Sequence, residues 1–283
     1  MGLRTGASGV PPARPCFTVV LLLSIIAFME CGCGSSSTEP EEEALIWQDE
    51  FNGPAGQPPE PAKWNFDIGT DWGNAQLEYD TDRPENVSLD GQGNLAITAR
   101  EEQYEGSSYT SGRINTRGKF ALARGRFEAR LQLPVGQGLW PAFWLLGDNF
   151  GVAGWPECGE IDIMEYRGQE PNVVHGSLHG PGYSGARAVT GRFILPGDGF
   201  DSGFHTFAVE WDEEAIAWFV DGQVYQRRTP ADLPSGARWV FDHPFFILLN
   251  VAVGGDFVGA PDSSTQFPQT MLVDWVRVYR LPS

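Results

Sequence analysis

The sequence predicts an all-β protein built from two packed antiparallel sheets, a β-sandwich. Short runs of β-branched and aromatic residues recur along the chain, Gly and Pro punctuate them (35 Gly and 21 Pro in 283 residues), and helical periodicity is almost absent after Ala44. Leu45–Gln48, Asn94–Arg100, Arg126–Leu133, His205–Trp211, Ala215–Val220 and Met271–Tyr279 read as strands. Between Val220 and Gln223, the pair Asp221-Gly222 tolerates the positive φ angles of a two-residue hairpin loop. The sequence carries no internal repeat, coiled coil or phosphate-binding loop.

In chain order, residues 1–38 read as a leader and tether. Arg4 and Arg14 precede the apolar run Phe17–Met29, which is too short for a membrane span and suits a secretory signal. A Cys closing such a run before a flexible acidic stretch resembles a bacterial lipoprotein, with a lipid anchor on Cys31 or Cys33. Glu30 departs from that pattern, because a small or apolar residue is usual before the Cys, and plain cleavage and release is the alternative. Either route puts the mature protein outside the cell or on its surface. Residues 39–44 form an acidic linker, and 45–283 form one domain of a size usual for a single sandwich.

With 19 basic and 37 acidic residues the formal net charge is -18. That argues against nucleic acid and anionic membrane as partners, whereas a neutral polysaccharide is not repelled. Cys158 is the only thiol after the leader, so the domain has no internal disulfide; with no His partner evident in sequence, it reads as a packing residue. No oligomerisation signal is visible, and a monomer is expected.

The chemistry concentrates in Gly159-Glu160-Ile161-Asp162-Ile163-Met164-Glu165-Tyr166. These residues read as a buried strand carrying three acids, an arrangement that is costly without a purpose. Alternation puts Glu160 and Asp162 on one face and would turn Glu165 into the apolar layer. A bulge in which Ile163 and Met164 share one pleat position returns Glu165 to the acid face. The outer acids are then about 13 Å apart between Cα atoms. Two Glu side chains leaning inward could approach the ~5 Å that suits a nucleophile and a general acid on one glycosidic bond, with retention of configuration. A solvated acidic face or a hard-metal site would use the same residue types.

Glu160-Ile-Asp-Ile-Met-Glu165, preceded by Trp155-Pro156-Glu157-Cys158-Gly159, resembles the signature of glycoside hydrolase family 16, in the variant with one extra residue before the second Glu. That variant is typical of bacterial laminarinases, endo-acting β-1,3-glucanases; the lichenase branch lacks the extra residue. The resemblance runs from about Trp47 to Tyr279 and implies a concanavalin A-like β-jelly roll with an open cleft on its concave face. It implies Glu160 as nucleophile, Glu165 as acid/base, and Asp162 as the group that holds a shared proton between them. The negative charge disfavours the branches that cut sulfated or acidic galactans.

Further stretches carry the same resemblance. Gly138-Leu-Trp140-Pro-Ala-Phe-Trp144 would bring aromatics to the sugar, and Trp140, Trp144 and Trp155 are the expected stacking residues. Trp47, Trp64, Trp211, Trp218, Trp239 and Trp275 are assigned to the core or to turns. Asp71-Trp-Gly-Asn74 and Tyr109-Thr-Ser-Gly-Arg113 place Asn74 and Arg113 at the subsites before the cleaved bond; Arg113 could equally keep Glu160 ionised. Val174-His175-Gly-Ser-Leu-His179 offers His179, against Glu165 or the sugar at the cleavage point. His175 shares its face, so the assignment could be off by four residues. A zinc reading of the two His residues is disfavoured, because that spacing suits a helix. Phe245–Phe257 returns Asn250 to the cleft. The resemblance also implies one structural Ca²⁺ near Glu50, Gly93 and Asp274, with no cofactor for catalysis.

The activity so implied is double-displacement hydrolysis of internal β-1,3 bonds in laminarin-type glucans, with mixed-linkage β-1,3-1,4-glucans as a second substrate. A transglycosylase would share the catalytic strand. A non-catalytic glucan-binding module would share the sandwich and need no acid row.

Overall fold

A computed structural model describes Gly2 and residues 43–282. Apart from Gly2, the leader with Cys31 and Cys33 and residues 39–42 of the acidic linker lie outside the described residues, and the export and lipid-anchor readings lie there with them. The strands are β1 (Ala44–Asp49), β2 (Asn65–Phe66), β3 (Glu78–Asp80), β4 (Val87–Leu89), β5 (Leu95–Tyr104) and β6 (Ser107–Ser111). There follow β7 (Arg113–Asn115), β8 (Gly125–Gln132), β9 (Leu139–Gly147), β10 (Glu160–Tyr166), β11 (Val173–His179) and β12 (Val189–Ile194). The last five are β13 (His205–Trp211), β14 (Ile216–Val220), β15 (Gln223–Arg228), β16 (Phe245–Val253) and β17 (Gln269–Arg280). One short helix, α1 (Phe150–Ala153), lies between β9 and β10.

All six strands expected from sequence form, as β1, β5, β8, β13, β14 and β17. They build the outer sheet, in the order β15-β14-β13-β8-β17-β5-β6-β3, with β1 on β17 and β4 on β5. The inner sheet runs β12-β11-β10-β9-β16-β7-β2. The pairing is antiparallel throughout except for the three-residue contact of β3 with β6, which is parallel. The hairpin at Asp221-Gly222 forms with φ of 49° and 76°, and Val220 pairs with Gln223 across it.

The core is the space between the sheets. Along β8, Phe127, Ala129 and Leu131 are fully buried while the residues between them are half-buried, as the two-residue period requires. All nine residues of β16 are buried, because this strand is covered on both faces. Phe245, Ile247, Leu249, Val251 and Val253 join the core, whereas Phe246, Leu248 and Asn250 face the cleft. Strand β9 divides likewise: Leu139, Phe143 and Leu145 point inward, and Trp140, Ala142, Trp144 and Leu146 line the cleft. Each large apolar side chain so buried contributes about 1.5–3 kcal/mol before entropy. Trp64, Trp211 and Trp218 are in the core, and Trp47 and Trp239 pack against it. Trp275 instead lies half-buried under the guanidinium of Arg277, 4.2 Å from the ring centre, because the β17 chain bulges between Val273 and Trp275.

Candidate active site

The inner sheet carries a cleft of about 1180 Å³. Strand β10 crosses its floor as the third strand from one edge and the fifth from the other. The bulge expected in β10 is present. Asp162 pairs with Ser177 of β11, and the next pair is Glu165 with His175, so one extra residue sits on β10 alone. On the other side Asp162 pairs with Trp144 and Met164 with Phe143. Ile161, Ile163, Met164 and Tyr166 all enter the core, and Glu160, Asp162 and Glu165 all line the cleft. Two consecutive apolar side chains below one acid face are what the bulge achieves.

Each acid has a different environment. The Trp155 indole donates a 2.9 Å hydrogen bond to Oε2 of Glu160. Asp162 is 3% exposed at the centre of the row. The Ser177 hydroxyl donates to Oε2 of Glu165 at 3.1 Å, and the Trp140 indole faces the same carboxyl. Burial raises all three carboxyls, Asp162 to about 7 and Glu165 to about 8. The Glu160 charge adds to the rise of Asp162, and the Asp162 charge to that of Glu165. At Glu160, His179, the Trp155 bond and Arg113 all act to keep the carboxylate ionised against that burial.

Of the two placements expected for His179, against Glu165 or against the sugar at the cleavage point, the first does not form: the ring lies at the other end of the row. It pairs in register with Glu160, and its Nε2 is 3.7 Å from Oε1 of Glu160 and 3.0 Å from Oδ2 of Asp162. The second contact is an ion-pair distance without hydrogen-bond alignment. The register of β10 on β11 is the reason: it pairs His179 with Glu160 before the bulge, and the bulge's extra residue then brings His175 opposite Glu165, yet the His175 ring stands edge-on to Phe257 and 3.9 Å from Glu170. Burial opposes a charge on His179, but the Asp162, Glu160 and Glu165 carboxyls outweigh it and push the imidazole up to about 10. The Gly185 N–H donates to its Nδ1 at 3.1 Å, which favours a neutral ring with its proton on Nε2. In either state the group turned to the acids is an N–H donor.

The Arg113 guanidinium lies between two indoles, 4.9 Å from the ring centres of both Trp72 and Trp144, and its Nε donates to Oδ2 of Asp67 at 3.0 Å. Asn250 stands beside Arg113 in the ladder and accepts the Trp144 indole N–H at 2.8 Å. Asn74 reaches the cleft on a loop with φ of 56°, its carbonyl taking the Asp256 N–H. Trp140, Trp144 and Trp155 line the cleft as expected, with Trp155 also bonded to Glu160. Sequence reading passed over Trp72, Ser177 and Phe257, as well as the buried acids Glu78 and Asp80 beneath the Arg113 cluster. Trp72 lies within the Asp71–Asn74 stretch from which only Asn74 is assigned, and the alternation of β11 puts Ser177 on the face of His175 and His179. Phe257 sits in a loop without periodicity.

Among the described residues, Glu160, Asp162 and His179 are the one acid and His group whose donor atoms cluster, within 4.8 Å of one another. The contacts between imidazole and carboxyls account for that proximity, and His175 is not part of it. Cys158 is buried, its thiol pushed up to about 11, as befits packing and not nucleophilic chemistry. The side chains expected at a calcium ion are engaged elsewhere: Glu50 receives two hydrogen bonds from Arg277, at 2.8 and 2.9 Å, and Asp274 pairs with Arg130. These carboxylates fit a cation poorly, which leaves only main-chain oxygens at Glu50, Gly93 and Asp274 for that purpose.

The model of the family described as glycosyl hydrolases family 16 matches residues 70–277. The chain is 43% identical over 274 residues to a beta-glucanase of Rhodothermus marinus, covering 93% of this chain and 94% of that protein. It is 38% identical over 257 residues to a glucan endo-1,3-beta-glucosidase of Cryptopygus antarcticus, with coverage of 86% and 88%. Among solved structures, the laminarinase catalytic domain of Thermotoga maritima MSB8 matches at 46% identity with a TM-score of 0.80, covering 86% of this chain and all of that one.

Proposed function

The chain belongs to glycosyl hydrolase family 16, and from that membership we propose that it is an endo-acting, retaining β-1,3-glucanase that cleaves laminarin-type glucans. The observation that carries this is the Glu160-Asp162-Glu165 row on the cleft floor, with His179, Trp155 and Arg113 favouring the carboxylate at Glu160 and burial raising Glu165 to about 8 at the other end. The names of the relatives, a beta-glucanase, an endo-1,3-beta-glucosidase and a laminarinase, support β-1,3-glucan as the substrate.

Glu165, protonated at neutral pH, gives its proton to the departing glycosidic oxygen while ionised Glu160 attacks the anomeric carbon. The bond to the leaving sugar breaks as the glycosyl ester to Glu160 forms. Glu165, now a carboxylate, takes a proton from water, and the hydroxyl displaces Glu160 with a second inversion. Asp162 lies between them, where it can hold the proton that neither partner needs at a given stage. Arg113, Trp72, Trp144, Asn250 and Asn74 line the side of the cleft built by β9, β16 and β7, where they bind and orient the sugars before the cleaved bond. Mixed-linkage glucan is a second substrate in this proposal, in line with a non-specific endo-beta-1,3(4)-glucanase matched at 35% identity.

The leader supports export, to the medium or as a lipoprotein anchored at Cys31 or Cys33. A structural Ca²⁺ belongs to the proposal only through main-chain oxygens; a chelator that lowers the melting temperature, reversed by Ca²⁺, would support it, and an unchanged melt would remove it.

The test is product analysis on laminarin, barley mixed-linkage glucan and agarose, with the anomer first released followed by proton NMR. Prompt β-anomeric oligosaccharides from laminarin are expected. Release of the α-anomer would overturn the retaining pair, and cleavage of agarose alone would overturn the substrate.

A further inference from the structure

The bulge in β10 creates a structural demand that a hairpin of the opposite sheet meets. Strand carbonyls ordinarily point within the sheet at a neighbouring strand. The Asp162 carbonyl, at the edge of the bulge, accepts the Trp218 indole N–H, 2.8 Å away, from β14 of the outer sheet. Trp218 is fully buried, so water is no alternative partner for that carbonyl.

The surroundings are shaped for this contact. Gly176 of β11 faces the bulged pair Ile163 and Met164. A Cβ there would lie 2.5 Å from Cδ1 of Trp218 and 2.7 Å from its Nε1, so only glycine lets the indole through. Gln226, paired with Trp218 across the β14–β15 hairpin, donates to the Gly176 carbonyl at 3.3 Å. The hairpin thus grips β10 and β11 from below at the one place where their registers slip.

We propose that Trp218 is a positioning residue: by holding the Asp162 carbonyl it fixes the bulge, and with it the pose of Glu165 relative to Glu160 and Asp162. Packing alone would not need the indole N–H at this point. Trp211 supplies the comparison, since it is equally buried and its indole donates at 3.2 Å to the Phe241 carbonyl, away from the catalytic strand. The inference rests on the proposed role of Glu165.

The test compares Trp218→Phe with Trp211→Phe, each losing one buried N–H donor. Two readouts are taken below both melting temperatures: kcat and KM on laminarin, and the pH titration of the Glu165 carboxyl carbon by ¹³C NMR. Both variants should melt earlier. Only Trp218→Phe should lower kcat, by roughly 10- to 100-fold with KM little changed, as misplacement of a reacting group does. In that variant alone, the Glu165 titration should fall toward the ordinary carboxyl range as water reaches it among Asp162, His179, Ser177, Trp140 and Tyr225. A kcat loss no greater than that of Trp211→Phe, with the titration unmoved, would overturn the proposal. If the wild type cleaves no glucan, the functional reading fails and the titration alone decides the positioning role. Should Trp218→Phe not fold, Gly176→Ala, whose Cβ must push the same indole aside, takes its place with the same two outcomes.

Discussion

His179 Nε2 lies 3.0 Å from Oδ2 of Asp162, and the same nitrogen lies 3.7 Å from Oε1 of Glu160. An N–H donor so placed favours the ionised form of both carboxyls. His179→Ala should therefore raise the Glu160 pKa. Because the nucleophile must be ionised, the acidic limb of kcat/KM should move to higher pH, with smaller changes at alkaline pH. An unmoved acidic limb would remove His179 from the charge network.

Glu160→Gln and Glu165→Gln should both keep the fold and lose turnover on laminarin. General acid-base catalysis is worth roughly 10²–10⁴-fold. The two variants should differ on an aryl β-glucoside oligomer with a good leaving group, which needs little protonation. Glu165→Gln should still form the glycosyl ester in a burst, while Glu160→Gln should show none. Equal bursts from both would reverse or void the assignment.

The alkaline limb follows from Glu165, whose carboxyl burial pushes up to about 8. The acid must be protonated to act, so kcat/KM should fall as pH rises through that value. A plateau extending well beyond it would mean that another group donates the proton.

Glu78 tests burial without catalysis. It is buried, accepts the Val253 N–H, and is raised by burial from 4.5 to about 7. Its folded pKa exceeds its unfolded one, so it contributes most to stability below the unfolded value. That contribution is lost as pH rises through the folded value, because the unfolded chain then releases the proton more readily. Glu78→Gln removes this loss. Between about pH 5 and about pH 9 the wild type should lose on the order of 3 kcal/mol relative to the variant. Parallel melting curves at the two pH values would refute it.

Arg113 makes a selective prediction because its guanidinium stacks between Trp72 and Trp144 while bonding Asp67. Arg113→Lys keeps the charge and loses the planar stack and the directed bond. KM for laminarin should rise several-fold with the pH profile in place, whereas Arg113→Ala should also move the acidic limb upward. Identical profiles and KM values in the two variants would limit Arg113 to bulk packing.

The sandwich was legible because its strands are short, alternating and bounded by Gly and Pro, and the hairpin at Asp221-Gly222 followed from its φ demands alone. The bulge was legible for a similar reason: Glu165 on an unbroken strand would have been a carboxylate buried in the core. The place of His179 was not. Deciding between His175 and His179 required knowing how β10 and β11 are registered, and register is a property of two strands together. Trp72 and Phe257 reach the cleft from loops, where no periodicity reports direction. Glu78 and Asp80 carry no local signal of burial, since nothing in their stretch announces that β3 will be covered.

The sheet counts Ile163 and Met164 as a single step, so the cleft face does not register that the strand holds an additional residue. Deleting one of them would leave the acids on the same face, in the same order and the same number of pleats apart. The change would appear underneath, as one hydrophobic side chain fewer in the core and a different seat for the Trp218 indole. The direction in which the acids face and the length of the strand are thus set by different features, the first by the pleats and the second by what the core below must hold.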